Sequence, residues 1–254
     1  MSDEAVAGTV PEEARELAHF ETRPLASSEP LHSTRGPSRR AAQPVGIFVV
    51  FEGGDGVGKS TQARLLADWL SSLGREVVLT YEPGDTEIGA TLRDLVLNPA
   101  WGDVSPRAEA LMYAADKAQH LHQLVLPALH RGAVVISDRY VDSMLAYQGA
   151  GRVLEPERVE QIARWATEDL LPDLTVLLDL DPAKGVAGIA EKDRVEGAGA
   201  DFHVRARQFF LDLAASDADH YLVLPARAEV EEIAALVRAR VASLLSATAG
   251  TVNP

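Results

Sequence analysis

The chain has 254 residues, enough for one large domain with an appendage and too few for two domains of ordinary size. Apolar residues at 46% and charged residues at 24% exclude collagen-like, coiled-coil and wholly disordered chains. A net charge of −14 argues against nucleic-acid and membrane-surface partners, because such a surface repels phosphodiester backbones and anionic lipid, and the absence of cysteine removes disulfides, thiolate nucleophiles and thiolate-bound metals.

Residues 1–44 hold 5 of the 14 prolines, many serines and charges, and little apolar periodicity beyond a possible short helix at 12–20. Such a stretch cannot bury enough surface to offset its ordering entropy, so a flexible tail is expected, with Arg35, Arg39 and Arg40 solvated. The acidic start Met1-Ser2-Asp3-Glu4 lacks the basic and apolar regions of a signal peptide, and no apolar run approaches the length of a spanning helix. The expected location is the cytoplasm.

From Val45 onward, short apolar runs alternate with longer stretches of helical period. Strands are predicted at 47–52, 76–81, 133–137, 175–180 and 221–224. Helices are predicted at 60–73, 87–97, 106–130, 155–167, 202–215 and 229–245. This alternation specifies an α/β fold with a parallel sheet wrapped by helices. Runs such as Val134-Val135-Ile136 are apolar on both faces, as a doubly covered sheet requires.

The first strand runs into Gly53-Gly54-Asp55-Gly56-Val57-Gly58-Lys59-Ser60-Thr61, which fits G-x-x-x-x-G-K-[ST] with a strand before it and a helix after it. That context makes it a P-loop: glycines let successive N–H groups turn toward phosphate, and the helix dipole adds positive potential. Residues 53–61 are therefore the predicted ATP cradle. Lys59 would hold the β and γ phosphates, and the Ser60 hydroxyl would ligate Mg²⁺. No Asn-Lys-x-Asp element for a guanine base is present, and no second domain large enough for a motor, so a nucleotide kinase is the leading class. After the strand at 133–137 comes Asp138-Arg139-Tyr140, at the strand end where open α/β sheets bind ligands. Asp138 suits a Mg²⁺ site and Arg139 a transferring phosphoryl group. His120 and His122 lack a third ligand at metal spacing and are read as structural or solvated.

The run from Phe51 to Gln62 resembles the opening of bacterial thymidylate kinases. Asp138-Arg139-Tyr140, with Ser143 and Ala146-Tyr147-Gln148-Gly149, resembles their acceptor-site signature. Glu82-Pro83-Gly84, Ala114-Ala115-Asp116 with Ala118-Gln119-His120, Pro172-Asp173-Leu174-Thr175 and Asp193-Arg194-Val195-Glu196 follow in the family's order. The resemblance covers residues 45–246 and implies transfer of the γ-phosphoryl of ATP to dTMP, a P-loop fold with a five-stranded parallel sheet, and a homodimer. It places Asp55 between the acceptor sugar and the magnesium-phosphate cluster, and Arg139 on the phosphates. Glu82, Pro83, Tyr113, Lys117, Ser143, Tyr147 and Gln148 would form the acceptor site, with the Tyr113 ring stacked on thymine. Lys117 stands where the family has an arginine. Tyr81 and Asp85 replace another arginine and a glycine, and Gly188 replaces a lid arginine. A charge-neutralising group would then come from Lys192 or Arg194, in a lid at about 191–201. The alternatives implied by these departures are a nucleotide-binding homologue of little activity, or a kinase for another pyrimidine monophosphate.

Overall fold

The computed structural model describes residues 46–182 and 193–249. The expected tail at 1–44, Gly188 and Lys192 lie outside the described residues. The remainder builds a five-stranded parallel sheet of order β2-β3-β1-β4-β5, from β1 (Ile47–Gly53), β2 (Val77–Tyr81), β3 (Val134–Asp138), β4 (Leu174–Asp179) and β5 (Tyr221–Pro225). Each predicted strand is present within a residue or two of its expected ends.

β1 explains why the sheet needs cover on both sides. Ile47, Val49 and Phe51 point to one face, where they meet Leu66 and Leu70 of α1 (Lys59–Ser72) and Val237 and Val241 of a long C-terminal helix. Phe48 and Val50 point to the other face, against Ala110, Leu121 and Leu129. All five are at most 4% exposed. Burial of a side chain of this size contributes about 1.5–3 kcal/mol, which makes the central strand the anchor of the site at its carboxyl end.

The remaining helices are α2 (Glu87–Leu97), α3 (Pro106–His120), α4 (Leu126–His130), α5 (Val141–Met144), α6 (Pro156–Ala166), α7 (Ala200–Ser216) and α8 (Val230–Ala249). Two departures from expectation have physical causes. The helix predicted over 106–130 is interrupted by a π-turn at Leu121–Val125, because Pro127 lacks an N–H and its ring collides with the carbonyl four residues earlier. The segment 141–151, for which no element is predicted, is α5 followed by a second π-turn, Leu145–Gly151. Its residues are buried almost throughout, so it has no solvent face and shows no helical period. The expected lid at 191–201 resolves, where described, into a short 3₁₀ turn at Glu196–Ala198 and the first residues of α7.

Candidate active site

The P-loop closes on the sheet through Gly53. Its φ of 130° and the Leu178 carbonyl, 2.4 Å from where a Cβ would sit, leave room for glycine alone. Gly58, at φ 97°, then opens α1 with no side-chain cap and no acid in the first turn. By contrast, Thr86 caps α2 through the Gly89 N–H, and Ser105 caps α3 through the Ala108 N–H. The amides of α1 are left for an anion. Lys59 is folded back on the loop, donating to the carbonyls of Gly54 at 2.6 Å and Gly53 at 3.3 Å. Burial, together with the charge of Arg139, lowers its ammonium to about 8 against the pull of Asp138, Asp55 and Glu52. The Ser60 hydroxyl donates to Asp138 at 2.5 Å, which brings together two of the residues expected, with Asp55, at the metal. Thr61 follows in the first turn of α1.

The turn after β3 is strained at its functional residue. Arg139 has φ 75°, in the left-handed region, and its guanidinium donates to the Gly53 carbonyl at 3.0 Å, the Ser143 hydroxyl at 2.9 Å and Asp55 at 2.5 Å. It also lies over the Tyr147 ring, 5.2 Å from the centroid. Burial by itself would raise the Asp55 carboxyl, but Arg139 and Lys59 outweigh it and hold Asp55 below the usual range. Glu52 secures the turn from beneath by accepting the N–H groups of Tyr140 and Ser143 at 2.9 and 3.1 Å and the Ser143 hydroxyl at 2.5 Å. Burial, then repulsion from Asp142, pushes its carboxyl up to about 7. In the sequence Glu52 carries no signal beyond its place beside the P-loop.

All nine residues that the resemblance assigns to the acceptor, from Asp55 to Gln148, line one pocket. Asp55, Glu82, Arg93 and Arg139 also line a second basin, together with Lys59, Ser60 and Asp138. The two cavities therefore share the Asp55–Arg139 pair as a wall. Arg93, on α2, reaches the junction and donates to the Pro83 carbonyl at 2.7 Å. No motif singles it out, because only folding turns this helix toward the sheet. Gln148 gives its Nε2 to Glu109 at 3.0 Å, and Glu109 is held from the other side by Arg152. Tyr113 is half-buried in the pocket wall, and its hydroxyl is raised by burial and by Glu109; burial pushes Tyr147 up to about 12.

Two further basic residues of the expected site are placed by distant partners. Lys117, in the acceptor pocket as expected, is 2% exposed, with its ammonium donated to Glu82 and, at 2.7 Å, to the Tyr140 carbonyl. An unpaired lysine could not be buried there, so Glu82 is the physical reason. Arg194, expected near the phosphates, lines neither basin. Its backbone N–H donates to the Leu97 carbonyl at 3.1 Å and its guanidinium to the Asn98 carbonyl at 3.0 Å, so it is bonded to the end of α2. Among the described residues, no cluster of three or more His, Asp or Glu side chains could hold a metal ion.

Comparisons with known proteins agree with this geometry. A family model described as thymidylate kinase matches residues 51–237. The chain is 58% identical over 201 residues to the thymidylate kinase of Cutibacterium acnes, covering 79% of this chain and 98% of that protein. It is 52% identical over 208 residues to that of Clavibacter michiganensis, covering 80% and 98%. The crystal structure of thymidylate kinase from Ehrlichia chaffeensis superposes with a TM-score of 0.64 at 28% identity, covering 77% of this chain and 98% of that one.

Proposed function

Because the chain belongs to the thymidylate kinase family, we propose that it transfers the γ-phosphoryl group of ATP to dTMP, giving dTDP and ADP. The observation that carries this reading is the shared wall. Two guanidiniums, Arg139 and Arg93, border both the P-loop basin and the pocket beside it, so donor and acceptor phosphates meet at shared positive charge.

ATP places its phosphates on the amides of residues 53–61, and Lys59 leaves the Gly53 and Gly54 carbonyls for the β and γ oxygens. Ser60 and Asp138 offer a hydroxyl and a carboxylate, the hard oxygen donors that suit Mg²⁺, with the rest of its coordination left to water and phosphate. When bound, the ion would neutralise charge on the β and γ phosphates. The acceptor oxygen is already anionic at neutral pH, so the chain needs no strong general base. Its task is to align the two phosphates and stabilise the spread negative charge, which falls to Lys59, Arg139 and Arg93. Asp55 keeps Arg139 aimed until substrate arrives.

Base recognition follows from hydrogen-bond capacity. With one Nε2 proton of Gln148 given to Glu109, this side chain still offers its carbonyl oxygen and its second N–H. A carbonyl accepts the ring N–H of thymine and has nothing to offer the unprotonated ring nitrogen of cytosine. The Tyr113 ring supplies the flat face for stacking.

We assign the active form to the cytoplasm and to a homodimer. Exposed Leu111 on α3 and Trp165 on α6, helices that pack beside the acceptor pocket, supply an apolar face for a second copy. Sedimentation at micromolar concentration should give twice the chain mass, and Trp165→Glu should shift it toward the monomer. No helix among the described residues is long and apolar enough to cross a membrane. The deciding assay is ADP release with dTMP against dUMP, dCMP and dGMP: preference for dTMP is expected, and preference for another monophosphate would overturn the substrate assignment.

A further inference from the structure

Beneath the acceptor pocket, a line of buried polar groups runs toward the P-loop basin and is not used in the mechanism above. His120, fully buried at the end of α3, places Nδ1 2.7 Å from Glu82 Oε1 and Nε2 2.6 Å from the Thr80 hydroxyl. Thr80 donates to Asp85 at 2.6 Å, and Asp85 lines the P-loop basin. The other oxygen of Glu82 holds Lys117, whose ammonium also holds the Tyr140 carbonyl, one residue beyond Arg139. Asp116, one residue before Lys117, faces the same cluster; burial, then repulsion from Glu82, pushes it up to about 6, and its Oδ1 accepts the Gly84 N–H.

Counting protons sets the roles in this line. The Thr80 hydroxyl gives its one proton to Asp85 and sits against Nε2 on its other side. Glu82 is buried, yet Lys117 and His120 outweigh burial and hold it ionised, so it accepts from Nδ1. The His120 ring is thus held on one side by the Glu82 carboxylate and on the other by the Thr80 hydroxyl, which leads on to Asp85.

We propose that His120 is a positioning residue for phosphoryl transfer: bonded to Glu82 on one side and through Thr80 to Asp85 on the other, it ties the floor of the acceptor pocket to the wall of the P-loop basin. It thereby keeps Lys117 on the Tyr140 carbonyl and Arg139 in its left-handed turn. This rests on the phosphoryl-transfer reading. Asp85 and His120 touch neither substrate in that reading, so their effect is on the relative placement of the two phosphates.

The test compares the full-length chain with Thr80→Val, Thr80→Ser, Asp85→Asn and His120→Gln. ADP release is measured over ranges of ATP and dTMP, with the thermal midpoint as a check on folding. Thr80→Val is close to isosteric and breaks the line at its centre. It should lower kcat about tenfold while KM for either nucleotide changes less than about threefold, and Thr80→Ser should restore kcat. Nitrogen NMR of histidine-labelled protein should show the His120 Nε2 signal moved in Thr80→Val and returned in Thr80→Ser. A kcat within twofold of wild type, a change confined to KM, or a His120 Nε2 signal unmoved in Thr80→Val would each overturn the proposal. A wild type that transfers nothing to dTMP would instead overturn the phosphoryl-transfer reading, and the proposal with it.

Discussion

On the P-loop side, the groups aimed at phosphate come from one run of consecutive residues, mostly as main-chain amides, and the amides at the start of α1 lack the side-chain caps found on α2 and α3. The acceptor pocket draws its polar groups from several elements, and most are already committed before substrate arrives: Arg139 to Asp55, Lys117 to Glu82, Arg93 to Pro83 and Gln148 to Glu109. The difference reflects what each side must recognise. A triphosphate is a string of equivalent anions that a curl of amides can grip, whereas a nucleoside monophosphate must be told from its relatives, which needs side chains held in one orientation. Committed pairs hold them so, and substrate displaces or adds to those pairs without having to order free side chains.

The comparison can be broken most severely at Lys59. Lys59→Ala removes the one ammonium of the P-loop and should cost about 10³-fold or more in kcat with dTMP affinity nearly unchanged; ADP release and calorimetric dTMP titration check both parts. Arg139 belongs to both sides. Arg139→Lys keeps the charge but loses the fork that serves Gly53, Ser143 and Asp55 at once, so kcat should fall about 10²-fold and KM for dTMP should rise as well. Steady-state kinetics in both substrates would show whether the two effects occur together.

A pH comparison addresses the foundation of the shared wall. Glu52 has a folded-state value of about 7, above the 4.5 of an unperturbed Glu, so the folded protein holds this proton more tightly than the unfolded chain. The stability it contributes is fully present below about 4.5 and is lost as pH rises through about 7, by on the order of 1–3 kcal/mol. Urea titrations at pH 5 and 8 should show this decline in the wild type and a smaller one in Glu52→Gln. The smallest expected effect concerns selectivity. Gln148→Met removes the carbonyl acceptor, and the preference for dTMP over dCMP should shrink about tenfold through kcat/KM.

Much of the fold was legible without tertiary information because its signals are local. Val134-Val135-Ile136 reads as a covered strand wherever it occurs, and Gly53 through Ser60 reads as a phosphate loop because the chemistry is confined to consecutive residues. Where a segment is buried all round, as at 141–151, the period that would reveal a helix is missing. Arg93 lies in a helix that the sequence does predict, yet nothing in the helix tells which face meets the sheet.

The sequence by itself therefore determined the parallel sheet, the cradle for a triphosphate and, through its resemblance, the class of acceptor. Only the tertiary structure decided that Lys117 is a buried ion pair, that Arg194 is bonded to the end of α2, and that Glu52 and His120 hold the site from below. The reason is the range of the forces involved. Backbone conformation and hydrophobic period act over a few neighbouring residues, whereas the state of a buried charge is set by partners such as Glu82 and Tyr140, which are distant in sequence and adjacent only once the chain has folded.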